Sequence, residues 1–215
     1  MARIPLSEAL VIQGPAGRLE ALLETPREGV ARGIAVVCHP HPLHQGTMHN
    51  KVVHTLGRAF TACGMSALRF NFRGVGASEG SFDDGPGEIA DALAVARAGR
   101  GRVPEGPLWL AGFSFGAAIA IGAAAELAAD GLVTVAPAVT RVAGMDRVAP
   151  RCPWLVIQGD RDELVNVDDT IEWVNSLAPG PELQVFPETG HFFHGKLVEL
   201  RKAVAAFVHE VGPGG

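Results

Sequence analysis

The chain of 215 residues is 47% hydrophobic and 19% charged, with a formal net charge of −5. This is enough for one sizeable core and too little for two comfortable domains, so a single domain over residues 1–215 is expected. The acidic balance argues against nucleic acid or an anionic membrane as partner and leaves a small molecule as the expected one.

Met1-Ala2-Arg3-Ile4-Pro5 lacks the long apolar core of a signal peptide, and a cytoplasmic location is expected. Two short strands, Leu10 to Gln13 and Arg18 to Glu24, flank Gly14-Pro15-Ala16-Gly17 and read as a hairpin. Ile34 to Cys38 is a β-branched run suited to burial on both faces, and a helix follows from Met48 to Cys63, stopped by Gly64. Met65 to Phe70 is the next buried strand. A Gly-rich turn, Asn71-Phe72-Arg73-Gly74-Val75-Gly76-Ala77-Ser78, leads to a helix from Pro86 to Ala98, with its proline in the first turn. Leu108 to Ala111 is again a strand, followed at once by Gly112 to Gly116, and the small-residue run Ala117 to Ala129 is a helix. Glu126 and Asp130 interrupt that run before it could span a bilayer. Leu132 to Ala136, Trp154 to Gln158 and Leu183 to Phe186 are further short strands, with helices at Val167 to Leu177 and Lys196 to Val208. Cys38, Cys63 and Cys152 lie apart from one another in or beside apolar stretches and read as buried free thiols, not as nucleophiles.

Strands that alternate with helices and are themselves almost wholly apolar imply an α/β fold with a mostly parallel sheet covered on both faces. Such sheets bind ligands at the carboxyl ends of their strands, so reactive side chains should follow strands directly. Three segments do. Gly112-Phe113-Ser114-Phe115-Gly116 is a G-x-S-x-G between a strand and a helix, where glycines let the chain reverse without colliding with its neighbours. Gly159-Asp160-Arg161-Asp162 follows the next-to-last strand and offers two carboxylates. Glu188-Thr189-Gly190-His191 follows the last strand, with His194 close behind. A serine hydroxyl needs a neutral imidazole to take its proton, and that imidazole needs a carboxylate to hold its tautomer and stabilise its cation.

With these segments in place, the chain resembles the α/β-hydrolase superfamily over nearly its whole length. It is most similar to small, lidless members related to dienelactone hydrolases and bacterial carboxylesterases. The resemblance rests on Gly112 to Gly116, Asn71 to Ser78, Gly159-x-x-Asp162-x-x-Val165 and Gly190-His191, in the family's order Ser, Asp, His. It implies a twisted sheet of about eight strands with an N-terminal antiparallel hairpin, helices on both faces and no cap domain. It further implies Ser114 as nucleophile, Asp162 rather than Asp160 as acid, and His191 rather than His194 as base. One oxyanion donor would be the N–H of Phe115, the residue after the nucleophile. The second would come from the loop His39-Pro40-His41-Pro42-Leu43-His44, in which the prolines have no N–H, making His41 the best match by position and Leu43 its substitute. The expected activity is that of a carboxylesterase acting on a small ester, with thioester or lactone hydrolysis as the alternative, and with no cofactor and no metal.

Two rival readings differ in class. His39-x-His41-x-Leu43-His44 nearly matches the H-x-H-x-D-H zinc run of metallo-β-lactamase-like hydrolases, but a leucine stands at the aspartate position and the rest of the constellation goes unexplained. The histidines are instead expected to line a pocket. A non-catalytic binding module on the same fold would be favoured by a missing triad member, and none is missing. Arg73 is read as a capping cation on the protein rim rather than a clamp for a substrate carboxylate. The stretch Pro137 to Pro153 is too short for a helical cap, so short acyl groups are expected.

Overall fold

Five runs in which every residue is buried form the centre of an eight-stranded sheet: β3 (Ile34–Cys38), β4 (Ser66–Phe70), β5 (Leu108–Phe113), β6 (Gly131–Val135) and β7 (Trp154–Gly159). The computed structural model describes residues 4–138 and 150–212. β1 (Leu6–Gly14) and β2 (Gly17–Thr25) form the expected antiparallel hairpin, and β8 (Glu182–Phe186) closes the far edge. The strand order is β1-β2-β4-β3-β5-β6-β7-β8, with β2 antiparallel to β4 and every pair from β4 onward parallel.

Alternation along the central strands divides the core in two, because successive side chains point to opposite faces. Ile34, Val36 and Cys38 pack with Leu68, Leu110 and Leu132 beneath helices α2 (Pro86–Arg100), α3 (Phe115–Leu127) and α4 (Val167–Ser176). Ala35 and Val37 pack with Trp109, Ala111 and Val133 beneath α1 (Lys51–Ala62) and α5 (Leu197–Val211). The helices start where the sequence offers caps. Asn50 accepts from the Val52 and Val53 amides, Asn166 accepts from Asp168 and Asp169, and Glu88 reaches back to the amide of Gly85. All residues of α3 from Phe115 to Ala124 are buried, which its alanines and glycines permit by letting the helix lie close to the sheet.

Three expectations need correction. β1 begins at Leu6, four residues before the expected start, because its outer residues are exposed at the sheet edge and lack an apolar signal. Only Cys38 is fully buried; Cys63 and Cys152 are free thiols at partly exposed positions. The elbow helix starts at Phe115, immediately after the serine, rather than at Ala117. Of the connection from Pro137 to Pro153, residues 139–149 lie outside the described residues, and the expectation of no cap there falls on them. Among the described residues, no helix is long and apolar enough to cross a membrane.

Candidate active site

The loops after β5, β7 and β8 open at one end of the sheet, because the three strands are parallel neighbours with β6 between β5 and β7. Ser114 stands between β5 and α3 at φ 56°, ψ −118°, a left-handed backbone that costs energy for a residue with a side chain. Neighbours hold it there. Its amide donates to Val135 O at 2.9 Å, and its carbonyl accepts from Ala117 at 3.0 Å. A methyl group on Gly112 would lie 2.1 Å from Gly116 O, and one on Gly116 would lie 2.3 Å from His39 O and 2.5 Å from Cys38 O. Both glycines of the pentapeptide are therefore required by close backbone approach, one to the first turn of α3 and the other to the exit of β3.

Asp162 is pinned before it meets the imidazole. Its Oδ1 accepts from the amides of Leu164 and Val165 at 2.9 and 2.8 Å, which folds the chain after β7 into a tight turn. Its Oδ2 faces His191 Nδ1 at 2.8 Å, and His191 Nε2 lies 3.1 Å from Ser114 Oγ. An ionised carboxylate only accepts, so Nδ1 carries the hydrogen and Nε2 presents its lone pair to the serine hydroxyl. Burial pushes the Asp162 carboxyl upward, but the hydrogen bonds from His191, Val165 and Leu164, with the attraction of the imidazole, outweigh it and hold the group below its ordinary value. The side chains of His191 and Asp162 are 2% and 0% exposed, so water is kept from the bond between them. The imidazole also packs against the rings of Phe113 and Phe192, with centroids 5.0 and 5.1 Å away.

The rival residues have other roles. Asp160 accepts from the Thr189 amide at 3.2 Å and so ties the β7 loop to the loop carrying His191. His194 is exposed, three residues ahead of α5. In the loop after β3, the His41 ring nitrogen Nδ1 accepts from the Leu43 amide at 3.2 Å, which occupies the substitute oxyanion donor. The His41 ring rests on Phe115, Phe82 and His44, at centroid distances of 4.9, 4.9 and 4.8 Å, so the loop is stacked on the start of α3.

His39 does not line a pocket. It is wholly buried; its Nδ1 donates to Pro40 O at 2.6 Å and its Nε2 accepts from the Phe72 amide at 3.1 Å. This uses both ring nitrogens on peptide groups and ties the β3 loop to the turn after β4. It also removes the first ligand of the rival zinc run, and no cluster of three metal-ligating side chains occurs among the described residues. Burial pushes the His39 imidazole down to about 4, so its neutral form is the one held. Arg73 is likewise not on the rim. Its guanidinium is buried and grips Asp91 with two bonds of 3.0 and 2.7 Å, while the Arg73 amide donates to the same carboxylate at 3.0 Å. That pairing excludes the clamp reading as well, and it fixes the Gly-rich turn to α2. Asn71 completes the anchorage by accepting from the Met48 amide at 2.8 Å and donating to Glu20 at 2.7 Å.

Comparison with known proteins decides the family. The serine aminopeptidase (S33) hydrolase family model matches residues 31–151. A structure from Xanthomonas campestris, described as an α/β serine hydrolase without a lid, is 44% identical, with a TM-score of 0.92 over 97% of this chain and 96% of that one. The chain belongs to the α/β serine hydrolase family. An α/β serine hydrolase homologue from Coxiella burnetii is 42% identical, with a TM-score of 0.88 over 93% of this chain and 96% of that one. An uncharacterized protein of Rickettsia prowazekii is 35% identical over 205 residues, 91% of this chain and 86% of the relative.

Within this α/β serine hydrolase, sequence reasoning passed over two residues of the site. Gln158, the penultimate residue of β7, donates from Nε2 to Asp162 Oδ2 at 3.0 Å. Glu163 accepts from the His191 amide at 3.1 Å. A buried glutamine at the carboxyl end of an otherwise apolar strand was the available signal for the first; the second is one of several loop carboxylates and had none.

Proposed function

We propose that the protein is a serine esterase that cleaves small, short-acyl esters through a covalent acyl-enzyme on Ser114. One observation carries the reading: the unbroken relay from Ser114 Oγ through His191 to Asp162 Oδ2, at 3.1 and 2.8 Å, on a serine held at positive φ. In the first step Ser114 Oγ attacks the ester carbonyl and its proton passes to His191 Nε2, while Asp162 stabilises the imidazolium without taking the proton. The carbonyl oxygen becomes an oxyanion facing the N–H of Phe115, at the positive end of α3, and the N–H of His41. Collapse breaks the bond to the alkoxide, which leaves as the alcohol with the proton from His191. Water then enters, gives a proton to His191 and attacks the acyl carbon, and the carboxylic acid and free Ser114 are regenerated.

His41 is the second donor in this reading because Pro40 and Pro42 have no N–H and that of Leu43 is held by the His41 ring. The preference for short chains is supported by the likeness to the lidless Xanthomonas campestris hydrolase, since in a site of that kind each further methylene left in water forgoes about 0.8 kcal/mol of burial. No cofactor or metal enters the mechanism, since serine, imidazole and backbone donors supply nucleophile, base and oxyanion stabilisation. A fluorophosphonate should label Ser114 stoichiometrically, as read by intact-mass spectrometry and peptide mapping. A panel of acyl esters, thioesters, lactones and aminoacyl amides, with Ser114→Ala as background, identifies the bond that is cleaved. Labelling elsewhere, or equal turnover by the alanine variant, rejects the reading.

A further inference from the structure

Gln158 is fully buried at the end of β7, and its surroundings fix which way its amide points. Three acceptors surround Nε2: Asp162 Oδ2 at 3.0 Å, Val165 O at 3.2 Å and Gly159 O at 3.4 Å. On the other side, the Thr170 hydroxyl lies 3.5 Å from Oε1. Only the NH2 group satisfies the first three, so Gln158 donates to the carboxylate. It donates to the same oxygen that receives His191 Nδ1–H, and it also holds the far end of the turn, at Val165, whose amide binds the other carboxylate oxygen.

We propose that Gln158 is a positioning residue of this hydrolase: its amide fixes the rotamer of Asp162 and draws electron density from the oxygen that supports the histidine. The inference rests on the triad reading above. The two oxygens of Asp162 turn together about the Cβ–Cγ bond, and the Leu164 and Val165 amides hold the pair from Oδ1. The buried amide of Gln158 adds a hold at Oδ2, the oxygen that faces His191. It has an electrostatic effect as well. A hydrogen bond to the ionised form makes the carboxylate a weaker base and a weaker partner for the imidazolium. Glu163, another carboxylate set against this loop, accepts from the His191 backbone amide and, being an acceptor, does not replace Gln158.

The two effects separate in kinetics. Gln158→Leu removes the donor at similar volume; kcat toward p-nitrophenyl acetate should fall about tenfold with KM changed less than about twofold, the scale of one hydrogen bond to a charged group. The acidic limb of the kcat/KM profile should move up by about half a pH unit, because Asp162 becomes the stronger partner for the protonated base. Gln158→Met also removes the donor while keeping an unbranched side chain of similar length, and its limb should move in the same direction. A limb raised in both variants is the expected result. If Gln158 serves packing alone, both limbs coincide with that of the wild type, and the proposal is overturned. Thr170→Val, which removes the hydroxyl facing the amide oxygen, covers the case in which Gln158→Leu fails to fold; it should lower kcat without changing KM, and an unaltered kcat counts against the proposal. Ser114→Ala run beside these variants keeps the two levels apart. Full activity in Ser114→Ala rejects the triad reading, whereas an inactive Ser114→Ala with Gln158 variants indistinguishable from wild type rejects only the role of Gln158.

Discussion

The loop after β3 and the loop after β8 each bury a histidine with both ring nitrogens engaged, and the two differ only in what engages them. His39 is held by a carbonyl and an amide of the main chain, groups that neither gain nor lose protons. His191 is held by a carboxylate and a hydroxyl, one able to stabilise a positive imidazole and the other able to give up its hydrogen. Burial alone makes a histidine a neutral strut; burial beside an ionised carboxylate makes it a base. The tests that follow try to break that contrast, the largest expected effect first.

Ser114→Ala removes the hydroxyl that faces His191 Nε2 and should lower turnover by roughly six orders of magnitude, the scale of losing a triad serine. Stopped assays with enzyme at high concentration measure it. Asp162→Asn leaves the histidine its packing but takes away the charge that fixes its tautomer, and on the order of ten-thousandfold should be lost. Asp160→Asn, two residues earlier, touches only the Thr189 amide and should cost about 1 kcal/mol of stability, with kcat within a few-fold of wild type. A reversed ranking in steady-state kinetics would move the acid by two positions.

The strut histidine is tested by pH. Its folded value of about 4 lies below the ordinary 6.5, so the unfolded chain binds the proton more readily than the fold does. The stability held by neutral His39 is therefore complete above about 6.5 and is lost progressively as pH falls toward about 4, up to about 3 kcal/mol in all. The depressed carboxyl of Asp162 also loses stability in acid, but only below the ordinary carboxylate range. Urea midpoints at pH 7.5 and 5 should converge between wild type and His39→Gln, since the variant lacks the titrating group; a constant gap would show that His39 is not held neutral. A smaller effect is expected along an acyl series, where kcat/KM for p-nitrophenyl esters should peak near two to four carbons, following from the loss of about 0.8 kcal/mol per unburied methylene. A steady rise to long chains would reveal an apolar groove. The smallest is no effect at all: with both His39 nitrogens bound to peptide groups, EDTA should leave turnover unchanged, and loss restored by zinc would reverse the contrast between the two loops.

What the sequence disclosed and what it hid divide along chemical lines. β3, β5, β6 and β7 were legible because strands buried on both faces are almost wholly apolar, and the meeting of Ser114, Asp162 and His191 was legible because each lies on a loop that leaves the carboxyl end of a strand. The first half of β1 was not, since an edge strand facing water carries ordinary surface residues such as Ser7 and Glu8. His39 and Arg73 were misread because their partners, Phe72 and Asp91, lie 33 and 18 residues away in sequence, and no local pattern announces a pairing of that range. Gln158 was counted only as the end of a strand. Its role depends on a turn that bends Asp162 back over β7, and that turn is visible only in three dimensions.

The contact between Gly116 and the carbonyls of Cys38 and His39 gives the order of synthesis a chemical meaning. The bend that exposes Ser114 is enforced on one side by a strand made long before it, and on the other by Val135 of β6, so the posture of the serine is complete once β3, β5 and β6 have paired. The base arrives after another strand pair has formed, on the loop beyond β8. Until then the serine is an ordinary alcohol in an unusual posture. If the proposed triad is the catalyst, hydrolytic power is expected to switch on only with the docking of the last edge of the sheet.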